Sequence, residues 1–170
     1  MTRPFLQWPD ARLRSVAEPV KSVTDDIRAI WDDMLEAMYA MPVGGPGLGL
    51  AAPQIGVMLR LAVVDAGTKR AALRMANPEI IKASTIFKDY DEGSPNLPGL
   101  YAKISRPEHV TIRYLDETGA VVEKELAGLW ATSAQHQIDH LNGRMFFDRL
   151  GPVKRKMLIA KHIKQQKRGR

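Results

Sequence analysis

At 170 residues, with 45% hydrophobic and 26% charged residues, the chain fits one domain with a core of its own, and its composition argues against disorder and membrane spans. It has no cysteine, which excludes disulfides, suits a reducing compartment and removes the commonest soft metal ligand. The net charge of +6 is unevenly placed: residues 151–170 hold eight Lys and Arg and no acid, so they carry +8 and residues 1–150 carry −2.

Residues 1–8 show neither the long apolar run of a signal peptide nor the Arg- and Ser-rich pattern of a transit peptide, so a cytoplasmic protein is expected. There is no internal repeat or low-complexity segment. The expected organisation is a single domain over 1–150 followed by a basic tail over 151–170.

A Pro9-Asp10 turn follows a short apolar entry. Thr24 before Asp25 and Asp26 is the pattern of an N-cap with acids in the first helical turn. Ile27, Ile30, Trp31, Met34 and Met38 then recur at helical spacing and predict a core-facing helix ending near Ala40. The glycines and prolines of residues 41–54 cannot continue it, and small residues at Gly49, Ala51 and Ala52 let the backbone approach something closely. With no Gly-Lys-Ser/Thr ending and no strand-to-helix G-x-G-x-x-G, nucleotide binding is disfavoured. The apolar residues inside this segment suit a cleft wall better than a surface loop.

Residues 61–65 and 73–81 are predicted as extended, the second passing through Asn77-Pro78. Residues 110–115 and 120–126 alternate around Asp116-Glu117-Thr118-Gly119 and predict a hairpin. Residues 129–141 predict a buried helix, stopped by Asn142-Gly143. The fold class is therefore α+β, with antiparallel sheets packed around a central helix.

That helix carries His136 and His140, four residues apart and so on one side, which is how one helix offers two imidazoles to one metal ion. In the motif H-E-x-x-H the residue after the first histidine is a glutamate acting as general base on a metal-bound water. Here it is Gln137, whose amide cannot take a proton at neutral pH.

Three segments together resemble the peptide deformylase family, and the similarity covers nearly the whole chain. The family's motifs G-x-G-x-A-A-x-Q, E-G-C-x-S and Q-H-E-x-D-H stand here as Gly47-Leu48-Gly49-Leu50-Ala51-Ala52-Pro53-Gln54, Glu92-Gly93-Ser94-Pro95-Asn96 and Gln135-His136-Gln137-Ile138-Asp139-His140. Pro9-Asp10 with Leu13-Arg14, Leu97-Pro98-Gly99, Leu141-Asn142-Gly143 and Phe147-Asp148-Arg149 add to the match. The resemblance implies a metal-dependent hydrolase that removes the formyl group from the N-terminal methionine of nascent proteins. It also implies substrate contacts at Gly47, Gly49, Leu50, Glu92 and Gly93, with Glu92 supporting the site without binding metal. Asp139, which the family shares, is expected to be an outward or supporting carboxylate.

The departures fall where the chemistry is most sensitive. The family's metal is held by the motif cysteine and the two histidines; here those positions are Ser94, His136 and His140. A neutral hydroxyl is a poor ligand beside a thiolate, so no metal, or a weakly held iron, zinc or nickel, is expected. The general-base position is Gln137; loss of a general base costs roughly 10² to 10⁴ in rate. The family's oxyanion donors are the motif glutamine, present as Gln54, and the backbone N–H after the cysteine, which Pro95 lacks. Losing one such donor costs on the order of 10² to 10³. Residues 43–46 look inserted relative to the family and are expected to reshape one wall of the cleft.

Three readings follow: a deformylase fold with lost or strongly reduced activity, kept for binding nascent N-terminal Met peptides or another partner; an atypical active metal-dependent deformylase; and an engineered inactive variant, against which the extra changes at Pro95 and Asn96 argue. His109 and His162 lack metal-like spacing and are expected at the surface. In the tail, Val153, Met157, Ile159 or Ala160 and Ile163 form a weak apolar stripe, predicting a helix to about Gln165. It suits either a solvated basic helix or a polyanion-binding one, and family members are similar in docking to the ribosome through a C-terminal helix, which makes ribosomal RNA the expected partner.

Overall fold

A computed structural model describes residues 3–41 and 48–170; Gly47 and the inserted residues 43–46 lie outside the described residues. Helix α1 (Asp25–Tyr39) starts as the sequence predicts, with the Thr24 side chain accepting a hydrogen bond from the Ile27 N–H, and it buries Ile27, Trp31, Met34 and Met38. The chain continues through strands β1 (Gly49–Ala51), β2 (Leu61–Val64), β3 (Leu73–Ala83), β4 (Phe87–Ser94), β5 (Leu97–Pro107), β6 (His109–Leu115) and β7 (Val121–Ala127). Helices α2 (Gly128–Leu141) and α3 (Pro152–Arg168) follow.

Strands β1, β2, β3, β6 and β7 form one antiparallel sheet in that order, with β1 at an edge; β4 and β5 pair separately as a hairpin. Strand β2 accounts for the layering. All four of its residues are buried, and successive side chains of a strand point to opposite faces. Leu61 and Val63 enter the cluster built on α1, while Ala62 and Val64 enter the cluster built on α2. The sheet is thus packed between two helices, and α2, buried from Ala131 to Leu141, is the central one. At α1, at the β6–β7 hairpin and at α2 the predicted and observed elements agree to within a few residues.

Strands β4 and β5 are absent from the sequence reading. Four of the eight β4 residues are exposed, two of them acidic and one a lysine, which hides the alternation that marks a half-buried strand. Two corrections concern the tail. The helix runs to Arg168, and the side chains it buries are Leu158 and His162, whereas Val153, Met157 and Ile163 are exposed. His162, expected at the surface, is only 4% exposed, with its Nε2 3.0 Å from the Trp8 carbonyl oxygen. Leu158 joins Leu13, Leu97, Ile104, Phe146 and Phe147 in a third cluster, so α3 is packed onto the body of the molecule. His109 is exposed, as expected.

Candidate functional site

A cleft of about 510 Å³ opens between edge strand β1, the β4–β5 hairpin and α2. Gly49, Gln54, Glu92, Gly93, Ser94, Pro95, His136 and Gln137 all line it, so all three sequence motifs meet there. Two predicted site residues do not reach the cleft surface: the Leu50 side chain is buried against α1, and His140 lies beneath the wall, 1% exposed. The close approach foreseen for Gly49 is real. A Cβ on it would stand 2.4 Å from Ser133 Oγ and 2.6 Å from Gln137 Nε2, so only glycine lets β1 lie against α2. A Cβ on Gly93 would meet the Tyr101 ring at 2.6 Å in the same way.

The base of the site is a buried ionic network that the sequence reading missed. Arg106, fully buried, donates from Nε and Nη2 to Glu92 (2.6 and 2.9 Å) and from Nη1 to Asp139 (2.9 Å). Arg149 donates to both oxygens of Asp139, at 2.6 and 2.8 Å. Burial pushes the Glu92 carboxyl up, but the hydrogen bonds from His136 and Arg106 outweigh it and hold the group below its ordinary range. For Asp139, burial is likewise outweighed by Arg149 and Arg106. Asp139 is therefore the supporting carboxylate and is not outward. A signal for Arg106 does exist: in β5 it stands in phase with Leu100 and Ile104, and a charge on the buried face of a strand demands a partner.

The ionised Glu92 orients the histidines. Its Oε1 lies 2.8 Å from His136 Nδ1, and a carboxylate can only accept, so the Nδ1 proton points at Glu92 and Nε2 faces His140. His136 Nε2 and His140 Nε2 converge to 3.1 Å. Burial, and then the neighbouring His136, keep His140 well below the ordinary histidine pKa and so neutral; its Nδ1 is buried without a partner among the described residues.

Two converging imidazoles are suited to hold a small cation, but the third family position does not fit one. The Ser94 hydroxyl donates to Asn96 Oδ1 at 2.9 Å and accepts from Gln54 Nε2 and the Asn96 N–H, each at 3.3 Å. One donor and two lone pairs are all a hydroxyl has, so none is left for a metal. Among the described residues, no group of three or more His, Cys, Asp or Glu gathers in a metal-holding arrangement. The residues present thus do not match a three-ligand centre of the kind the resemblance implies.

The same network engages the oxyanion donor. Gln54 Oε1 accepts from the Ala51 N–H at 2.8 Å, and its Nε2 donates to Ser94 Oγ and, at 2.8 Å, to Asn96 Oδ1. Asn96, wholly buried, donates in turn to the carbonyls of Leu6 (2.6 Å) and Gln54 (3.2 Å). Sequence reasoning noted Asn96 only as a change; the structure makes it the knot joining the N-terminal segment, the 3-10 turn over Ala52–Ile55 and the β4–β5 turn.

Comparison with known proteins agrees with this geometry. The family model described as polypeptide deformylase matches residues 2–156. The peptide deformylase of Cellvibrio japonicus is 42% identical over 167 residues, covering 98% of this chain and 96% of that protein. That of Methylocella silvestris is 45% identical over 171 residues, covering 97% and 85%. Among solved structures, a peptide deformylase from Legionella pneumophila superposes with a TM-score of 0.88 at 40% identity, covering 98% of this chain and 96% of that one. One from Ehrlichia chaffeensis gives 0.90 at 32%, covering 99% of each. With the family model matched over residues 2–156 and both sequence and fold shared across almost its full length, the chain belongs to the peptide deformylase family.

Proposed function

We propose that this chain keeps the deformylase cleft as a binding site for the N-terminal segment of methionine-initiated peptides, with hydrolysis of the formyl group lost or strongly reduced. The observation that carries this is the state of Ser94: its hydroxyl, at the position of the family's thiolate ligand, is committed to Asn96 and Gln54. Pro95 has no N–H to offer a developing oxyanion, and Gln137 has no basic group to take a proton from water. The cleft remains open and apolar, with Phe5, Met41, Leu48, Leu100 and Leu129 on its walls, which suits an extended peptide with a long thioether side chain.

The experiment is metal analysis of the purified protein together with hydrolysis and binding of formyl-Met-Ala-Ser. Expected are less than stoichiometric iron, zinc or nickel, no turnover, and measurable peptide binding. Stoichiometric metal with turnover would establish the atypical active enzyme, a reading that the convergence of the two histidines favours.

The exposed face of α3 supports a second contact in the same role. Lys154, Lys156, Lys161, Lys164, Lys167 and Arg168 are exposed there, and the helix holds no acid to offset them. A polyanion, and for a protein that meets nascent chains ribosomal RNA, is the partner this face suits.

A further inference from the structure

The cleft differs from a formyl-binding site in the sense of its free hydrogen-bonding groups. The orientation of the Gln137 amide is fixed by its neighbour: Ser133 Oγ donates its only proton to the Leu48 carbonyl at 2.9 Å, so toward Gln137 it can only accept. Gln137 must therefore turn Nε2 to Ser133, at 3.5 Å, and leave Oε1 on the other side. Among the described residues that oxygen is buried without a partner, on a side chain that is only 4% exposed and lines the cleft. It is an acceptor waiting for a donor.

The groups that would receive a carbonyl are spent or missing. Gln54 Nε2 already serves Ser94 and Asn96, and Pro95 has no N–H. Charge points the same way. The charged residues lining the cleft are Asp91 and Glu92, with no Lys or Arg among the described lining residues. Glu92 is balanced by Arg106, and the exposed Asp91, with Lys103 opposite it on β5, is the other acidic group on the wall. Tyr101 adds an aromatic face that also favours a cation, whereas the Tyr90 ring already carries Lys88 Nζ at 5.4 Å from its centroid.

We infer that the cleft selects peptides with a free, protonated α-amino group over their N-formyl counterparts, the amine donating to Gln137 Oε1. The inference rests on the peptide-binding role proposed above. A formyl group brings an acceptor oxygen to a site where Gln54 Nε2 is already engaged and Pro95 has no N–H, and leaving a buried polar group unmet costs enough to discriminate. A free amine brings donors and a positive charge.

The test is calorimetric titration of the full-length chain at pH 6.5, where an α-amine is protonated, with three peptides: Met-Ala-Ser, formyl-Met-Ala-Ser, and the desamino analogue lacking both groups. Expected is binding of Met-Ala-Ser at least about tenfold tighter than either of the others, the scale of one unmet buried hydrogen bond. Gln137→Met, which removes the acceptor at similar volume, is expected to bring the three within about threefold. Equal or tighter binding of the formyl peptide overturns the inference while leaving the peptide-binding role standing. Equal binding of the desamino and free-amine peptides overturns it too. Binding of none of the three overturns both.

Discussion

At the scale of single residues, the departure at Ser94 is tied to the retained oxyanion donor, because Ser94 and Gln54 share a partner in Asn96. Restoring Ser94→Cys, Pro95→Leu and Gln137→Glu together, with iron or nickel supplied, is expected to return formyl-Met peptide hydrolysis, and each change alone is not. Adding Asn96→Ser, the residue of the family motif, is expected to raise turnover further by releasing the Gln54 amide. It is also expected to cost about 1–3 kcal/mol in stability, since carbonyls of Leu6 and Gln54 lose their donor. Comparing kcat with the denaturant midpoint separates the two effects. Arg106→Met leaves two buried carboxylates short of a partner and is expected to cost about 3–5 kcal/mol, read from chemical unfolding. The identity of the site residues was legible in the sequence, because a spaced motif specifies residue types. Their hydrogen-bond commitments were not, because Leu6, Gln54 and Asn96 are distant in sequence and become neighbours only once the chain is folded.

At the scale of elements, the site depends on how closely β1 lies against α2. Gly49→Ala would press a methyl group against Ser133, Gln137 and the Val63 carbonyl. The expected cost is about 1–3 kcal/mol together with weaker peptide binding, measured by thermal unfolding and titration. Acid stability belongs to the α2–β4–β5 junction. Glu92 and Asp139 have folded pKa values depressed below their unfolded ones. Their contribution is therefore complete above the unfolded value, about pH 4, and is lost as pH falls toward the folded values. The denaturant midpoint is expected to drop on acidification below about pH 4, and less steeply in Asp139→Asn, which starts from a lower plateau. Helices α1 and α2 were legible because one apolar face repeats every turn. The β4–β5 hairpin was not, because the first three residues of β4 are all exposed and hide the strand pattern.

At the scale of the whole molecule, α3 has a packed face and an exposed basic one. Leu158 and His162 hold it to the body, and the lysines face outward. Sequence periodicity chose the wrong apolar stripe, since Val153, Met157 and Ile163 are the more obvious hydrophobic residues and yet are exposed. The error changes the experiment. Deleting residues 151–170 would uncover Leu97, Phe146 and Phe147 and confuse unfolding with lost binding. Charge reversal at Lys161, Lys164 and Lys167 avoids this: the thermal midpoint is expected to stay within a few degrees, while co-sedimentation with ribosomes at low salt is expected to be lost. Unchanged sedimentation would remove the case for an RNA partner. The knot at Asn96 acts on the same scale, since it fastens the N-terminal segment to the β4–β5 turn through the residue that also occupies Ser94 and Gln54. It works as a ratchet on sequence change. A cysteine placed alone at position 94 would forfeit the hydrogen bonds that the hydroxyl makes to Asn96 and Gln54 and would still leave Gln54 bonded to Asn96, so that single step is expected to lose stability without freeing the Gln54 amide.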